Sequence, residues 1–154
     1  MADTPPRLLV IEDNDADVFL IKRALEENNI PAEVTVCSDG EAAVRVLNSP
    51  EMQNPPDAII MDLSLPRIQG LDLLRKILDR PAYVGTPIMV FTSSPSPSDK
   101  HHVELLKGAR YVQKPSGFDN FLREVAENVR SMFAASLMKE PDQDDPHRWA
   151  KREV

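Results

Sequence analysis

Apolar residues along this chain fall into two alternating patterns. Leu8–Ile11, Ala58–Met61 and Ile88–Phe91 are short, nearly unbroken apolar runs. Runs of that length, bounded by turn residues, read as strands buried on both faces. Glu33–Cys37 and Tyr111–Gln113 are two further short stretches of β-forming residues. Between the strands the spacing widens to helical periodicity. Val18, Ile21 and Leu25 share one face, and a second helix is expected from about Glu41 to Leu47. Leu71, Leu74, Ile77 and Leu78 mark a third, and Val103 with Leu106 a fourth. Phe118, Phe121, Leu122, Val125, Val129, Met132 and Phe133 trace one stripe of a long fifth helix.

The punctuation agrees with this division. Asp15 is a candidate N-cap for the first helix, with Asp17 favouring its positive start. Asn28, Asn29 and Pro31 stop it. Ser38 or Asp39 can cap the second helix. The stretch 48–56 holds three of the fourteen prolines and reads as a loop. Pro81 ends the third helix. Ser96 can cap the fourth, with Pro97 at its first position, where a missing N–H costs nothing. Gly108 stops it. Five strands thus alternate with five helices, which implies right-handed crossovers and a doubly wound parallel sheet of α/β class.

Composition narrows the function classes. The chain has 154 residues, 42% apolar and 28% charged, enough for one soluble domain. Its formal net charge of −7 argues against nucleic-acid binding, which needs a basic surface for phosphates. No apolar run approaches a membrane span, and residues 1–7 lack the apolar core of a signal peptide. The single cysteine, Cys37, fits a reducing compartment, so a cytoplasmic location is expected. Its default role is a buried small hydrophobe.

Chemistry gathers where the strands end. The first strand runs into Glu12 and Asp13, the third into Asp62, the fourth into Thr92 and the fifth into Lys114. Singly, each has an ordinary explanation: a helix-start acid, a turn cap, a β-forming threonine, a surface lysine. Jointly they fall at the carboxyl ends of strands, where open α/β sheets bind ligands. In a sheet of order 2-1-3-4-5 the switch point lies between the first and third strands, so Glu12, Asp13 and Asp62 would crowd together. Like charges in a partly buried site repel, and a hard divalent cation compensates them. Thr92 supplies a hydroxyl and Lys114 a point positive charge. The set describes a pocket that accepts a phosphoryl group onto a carboxylate.

The motifs Leu-Leu-Val-Ile-Glu-Asp at strand one, Met-Asp-Leu-Ser-Leu-Pro with Gly70 at strand three, Phe-Thr-Ser at strand four and Lys-Pro after strand five carry a specific resemblance. The chain resembles the receiver domain of two-component response regulators, of the single-domain chemotaxis type, from about Arg7 to Phe133. The run Glu-Asp-Asn-Asp-Ala-Asp-Val-Phe-Leu-Ile further resembles the small regulators that accompany bacterial phytochrome kinases. The resemblance implies a flavodoxin-like five-stranded fold of order 2-1-3-4-5. It implies Asp62 as phosphoacceptor and a Mg²⁺ (or Mn²⁺) ion held by Asp13, Asp62 and the backbone carbonyl of Ser64, with Glu12 acting through water. It implies that Thr92 and Lys114 bind the phosphoryl group, that Tyr111 is the switch aromatic, and that the bond before Pro115 is cis, with a slow folding phase attached.

The resulting expectation is a phosphorylation switch served by a histidine kinase, a phytochrome kinase by the narrower resemblance. It signals through protein contacts and is no turnover enzyme, beyond losing its own phosphoryl group. Departures from the commonest pattern are Glu12 in place of Asp, the long loop at 48–56, and Pro95 and Pro97 after Thr92. Residues 1–6 are read as a tail, 7–138 as the receiver domain, and 139–154 as a tail or docking segment around Trp149. So short a tail cannot form a second domain. Phe133, Leu137 and Met138 prolong the apolar face of the last helix, an overhang that reads as a homodimer interface. Two rival readings remain: a phosphohydrolase turning over on Asp62, although Ser64 stands where such folds usually carry a second acid, and an unphosphorylated docking receiver.

Overall fold

A computed structural model describes residues 4–93 and 96–138. Ser94, Pro95, Trp149 and the segment 139–154 lie outside the described residues, and so do the expectations attached to them. Five strands, β1 (Arg7–Ile11), β2 (Glu33–Cys37), β3 (Ala58–Met61), β4 (Ile88–Thr92) and β5 (Arg110–Gln113), form one sheet of order β2-β1-β3-β4-β5. Every pairing is parallel. The helices are α1 (Asp15–Glu27), α2 (Gly40–Leu47), α3 (Gly70–Leu78), α4 (Pro97–Leu106) and α5 (Phe118–Leu137). The alternation of the sequence pattern is thus the alternation of the fold. Short 3₁₀ turns at Pro50–Met52 and Pro81–Tyr83 add detail that periodicity does not reveal. The first lies inside the proline-rich loop, where the Tyr83 hydroxyl donates to the Met52 carbonyl at 3.0 Å.

The sheet has a core on each face, and the strands show why. Successive side chains of a strand point to opposite faces. Leu8, Val10, Ala58, Ile60, Met89 and Phe91 pack with α1 and α5 on one side. Leu9, Ile11, Ile59, Met61, Ile88 and Val90 pack with α2, α3 and α4 on the other. Every residue of β3 and β4 is buried, which explains their unbroken apolar character. Cys37 is buried at the end of the edge strand β2, as a small hydrophobe would be.

Register then levels the strand ends. Ile11 pairs with Met61, and the Asp62 N–H donates to the Ile11 carbonyl at 2.9 Å. Glu12 N–H donates to the Cys37 carbonyl at 2.9 Å, and Lys114 N–H to the Thr92 carbonyl at 2.8 Å. Glu12 and Asp62 therefore leave the sheet level with each other, with Thr92 one residue and Lys114 two residues further along.

Three local expectations need correction. Asn14, rather than Asp15, caps α1: its side chain accepts from the Asp17 N–H at 3.1 Å, and Asp15 is the first helical residue. The cap needs extended backbone, and Asn14 has it (φ −88°, ψ 111°). Second, α4 is closed by Lys107 in the left-handed conformation (φ 58°), rather than by Gly108. A Cβ on Gly108 would lie 2.2 Å from Leu78 Cδ2, so a larger residue there would make the end of that side chain turn aside. Third, no peptide bond among the described residues is cis, so the bond before Pro115 is trans. The trans form is the lower in energy for X–Pro by about 0.5–1 kcal/mol, and Lys114 reaches the pocket from it without help. Asp39 and Ser96 do cap α2 and α4, accepting from Ala42 and Asp99 N–H at 2.7 and 3.2 Å.

Candidate functional site

Lys114 is the centre of the pocket. Its ammonium donates to Glu12, to Asp17 at 2.8 Å and to Asp62 at 3.0 Å. Its side chain is only 7% exposed, and those of Glu12 and Asp62 are 3% and 6% exposed. An ammonium has three donors, and all three are spent on carboxylates. Glu12 also accepts from the Asp13 N–H at 3.1 Å, and Asp62 from the Ser64 N–H at 3.0 Å. Thr92 is fully buried at the end of β4. Tyr111 lies partly buried against the α2–α4 face of the sheet.

The two buried carboxylates respond in opposite senses. Burial pushes Glu12 from 4.5 up to about 8; the Lys114 hydrogen bond pulls it back, and the nearby Asp62 charge adds to the rise. At neutral pH Glu12 is the carboxyl that keeps its proton. Burial would raise Asp62 too, but the Ser64 N–H and the Lys114 ammonium outweigh it and hold Asp62 below the ordinary range. Asp62 is therefore ionised at neutral pH. Burial alone would lower Lys114; its hydrogen bonds to Asp17, Glu12 and Asp62 reverse that and raise it. Burial, then the Asp99 and Asp62 charges, raise the Tyr111 phenol, which stays neutral.

Glu12, Asp13 and Asp62 each place one carboxylate oxygen within 4.8 Å of the others. The two inner acids are buried and Asp13 is exposed. The donor set fits a hard divalent ion: all oxygen, close enough to converge, and open to water on the Asp13 side. A group of acids this dense is what such a cation would offset. Of the residues expected from sequence, Glu12, Asp62 and Lys114 meet directly, and Asp13 joins through the carboxylate group. Thr92 and Tyr111 lie on the adjoining strands β4 and β5. Asp17 is the member that sequence reasoning missed, having been read as a helix-start acid. Its one signal was being the fourth acid in six residues, after Glu12, Asp13 and Asp15.

The β3–α3 loop that carries Asp62 and Ser64 is held by close packing. A Cβ on Gly70 would lie 2.5 Å from both Cα and O of Leu63, so only glycine lets the start of α3 sit against that backbone. Arg67, in this loop, adopts φ 73°.

The family described as the response regulator receiver domain matches residues 8–126. The chain belongs to that family. The probable methanogenesis regulatory protein FilR2 of Methanothrix harundinacea is 30% identical over 128 residues, covering 82% of this chain and 83% of that one. Among solved structures, the phosphorylated cyanobacterial phytochrome response regulator RcpA superposes with a TM-score of 0.75 at 28% identity, covering 85% and 95% of the two chains. The Mn²⁺-bound form of response regulator Rcp1 gives 0.72 at 28% identity, covering 80% and 91%. Other curated relatives are longer, and the chain spans 52–55% of the transcriptional regulatory proteins among them. A receiver domain implies a cognate histidine kinase and an acidic divalent-metal site, and Glu12, Asp13 and Asp62 are such a cluster here. Among the described residues, no helix is long and apolar enough to cross a membrane.

Proposed function

We propose that this receiver is a phosphorylation switch whose state is written on Asp62. The observation that carries the reading is the pairing of a buried, ionised Asp62 with the Lys114 ammonium at 3.0 Å, beside two further acids. A histidine kinase presents phosphohistidine. An Asp62 oxygen attacks phosphorus, the P–N bond breaks, and the imidazole leaves with the bonding pair and takes up a proton. Lys114 stays close to the transferred group and offsets its charge. Mg²⁺ or Mn²⁺, when bound by Asp13, Asp62 and the Ser64 carbonyl with Glu12 through water, supplies charge neutralisation for the same transfer. Thr92 then binds a phosphoryl oxygen, and Tyr111 follows it inward. The face formed by α4, β5 and α5 changes its partner preference accordingly.

The domain proper is residues 7–138, with 139–154 as a tail or docking segment. The partner is a histidine kinase. Similarity to RcpA, a cyanobacterial phytochrome response regulator, favours a phytochrome kinase. Homodimerisation is supported by Leu137 and Met138, which are 85% and 71% exposed at the end of α5, whereas Phe133, expected in the same overhang, is buried in the core beneath α1 and α5. A cytoplasmic setting suits a buried, reduced Cys37 and a kinase partner.

Labelling with a small phosphodonor tests the reading. Mg²⁺-dependent incorporation is expected in the native protein and none in Asp62→Asn. Incorporation that persists in Asp62→Asn refutes it.

A further inference from the structure

The acid that sequence reasoning missed points to a role of its own. Asp17 is one of three carboxylates holding Lys114, at 2.8 Å, and its side chain is 22% exposed. It stands apart from the other two. Glu12 and Asp62 belong to the cluster whose oxygens converge for a cation, and Asp17 does not. Any positive charge taken up by that cluster engages the two partners that Lys114 otherwise shares, and repels the ammonium. Asp17 is the partner left to it. It is also fixed in place: its own N–H is capped by Asn14, in the first turn of α1. The Lys114–Asp17 pair therefore ties the fifth strand's end to the first helix across 97 positions of sequence.

We propose that Asp17 is a positioning residue of the phosphorylation site. It acts through Lys114, keeping the ammonium at the pocket when Glu12 and Asp62 are engaged by cation and phosphoryl group. The inference rests on the reading of Asp62 as phosphoacceptor. It adds a fixed anchor outside the metal-ligand set, carried on α1. A hydrogen bond between two charged groups is short and geometrically demanding, so removing one partner lets the lysine wander. Asn at position 17 keeps the shape and loses the charge; Glu keeps the charge on a longer arm.

The test measures beryllofluoride binding in the presence of Mg²⁺ by fluorine NMR, and the hydrogen exchange of the Lys114 ammonium by nitrogen-15 NMR. Asp17→Asn is expected to weaken beryllofluoride binding about 10–100-fold, the loss expected for one charge-assisted hydrogen bond. It should also speed exchange of the Lys114 ammonium protons, and Asp17→Glu should recover most of both effects. With Lys114→Gln as background, the same change at position 17 should alter binding less than about twofold, since the residue it acts through is gone. A merely structural role at the helix start would lower thermal stability and leave ammonium exchange alone. Unchanged exchange in Asp17→Asn, or an equal loss of binding in both backgrounds, overturns the proposal. The ammonium readout needs only Asp17→Asn, so it decides even if the Lys114→Gln protein does not fold. Native protein that neither binds beryllofluoride nor accepts phosphate overturns the phosphoacceptor reading and this inference with it. Native binding with a silent Asp17 overturns the inference alone.

Discussion

Replacing Lys114 with methionine removes the one positive charge shared by Glu12, Asp17 and Asp62. Methionine fills a similar volume, so the change is chiefly electrostatic. At an effective dielectric of about 20, each unit-charge pair near 3–4 Å contributes about 4 kcal/mol of attraction. Much of that is offset by the desolvation of the lysine itself, which the substitution also removes. Breaking a buried ion pair by deleting one partner costs about 3–5 kcal/mol, because the remaining charge is left uncompensated. We expect Lys114→Met to lose about 3–5 kcal/mol at pH 7 without metal. The pH dependence gives the sharper test. In the native protein, Glu12 is raised from 4.5 to about 8. Its proton-linked stability is full below about pH 4.5 and is lost as pH rises through about 8. Asp62 is depressed, so its contribution is present above the ordinary aspartate range and lost as pH falls through its folded value. Without Lys114 both carboxyls rise. The variant's deficit must then shrink between pH 7 and pH 5, as protons replace the missing ammonium, and it must shrink again on adding millimolar Mg²⁺. Urea unfolding followed by circular dichroism at pH 5, 7 and 8.5, with and without Mg²⁺, reads all of this. A variant as stable as the native protein at pH 7, or a deficit that grows toward acid pH, refutes the reasoning.

Two further outcomes follow from the same geometry. Metal binding must displace the Glu12 proton, so with that group near 8 the apparent Mg²⁺ affinity should be about tenfold lower at pH 7 than above pH 9. Calorimetry in buffers of different ionisation enthalpy should show proton release of close to one at pH 7; an affinity flat from pH 6 to 9 contradicts the assignment. Gly70→Ala should cost about 1–3 kcal/mol, the range for forcing an extra carbon into packed structure. It should also slow phosphodonor labelling, because the displaced Leu63 adjoins Asp62; a stable, fully active Gly70→Ala protein shows that the loop moves freely.

The parts legible in the sequence are those decided by neighbours along the chain. The bounds of β2 and β3, the caps at Asp39 and Ser96, and the start of Pro97–Leu106 are set within a few residues by alternation, short polar side chains and proline. The sheet order needed one more step, and the strand-end residues supplied it. What escaped was decided at long range or by near-equal local choices. Asn14 and Asp15 are both good caps, and the extended backbone at Asn14 selects between them. Gly108 looked like a turn residue because glycine commonly is, yet its constraint is the Leu78 side chain thirty residues away. Asp17 carries no local mark of its partner. The cis bond before Pro115 rested on resemblance alone, and the bond is trans.

The pocket explains why this site can hold a signal. Four acids and one lysine leave it short of positive charge, and burial stops water from screening the deficit. At rest the deficit is met by one proton on Glu12 and by the three bonds of Lys114. On the proposed reading, a bound divalent ion would take the place of the proton, and a phosphoryl group on Asp62 would add negative charge for that ion and Lys114 to meet. Each step moves the same few charges among fixed carboxylates, so the energy of each state depends on where Lys114 points. That makes the lysine's partners, Asp17 included, the place where the resting and phosphorylated states are weighed against each other. In the proposed switch it falls to Thr92 and Tyr111, on β4 and β5, to pass the difference to the surface.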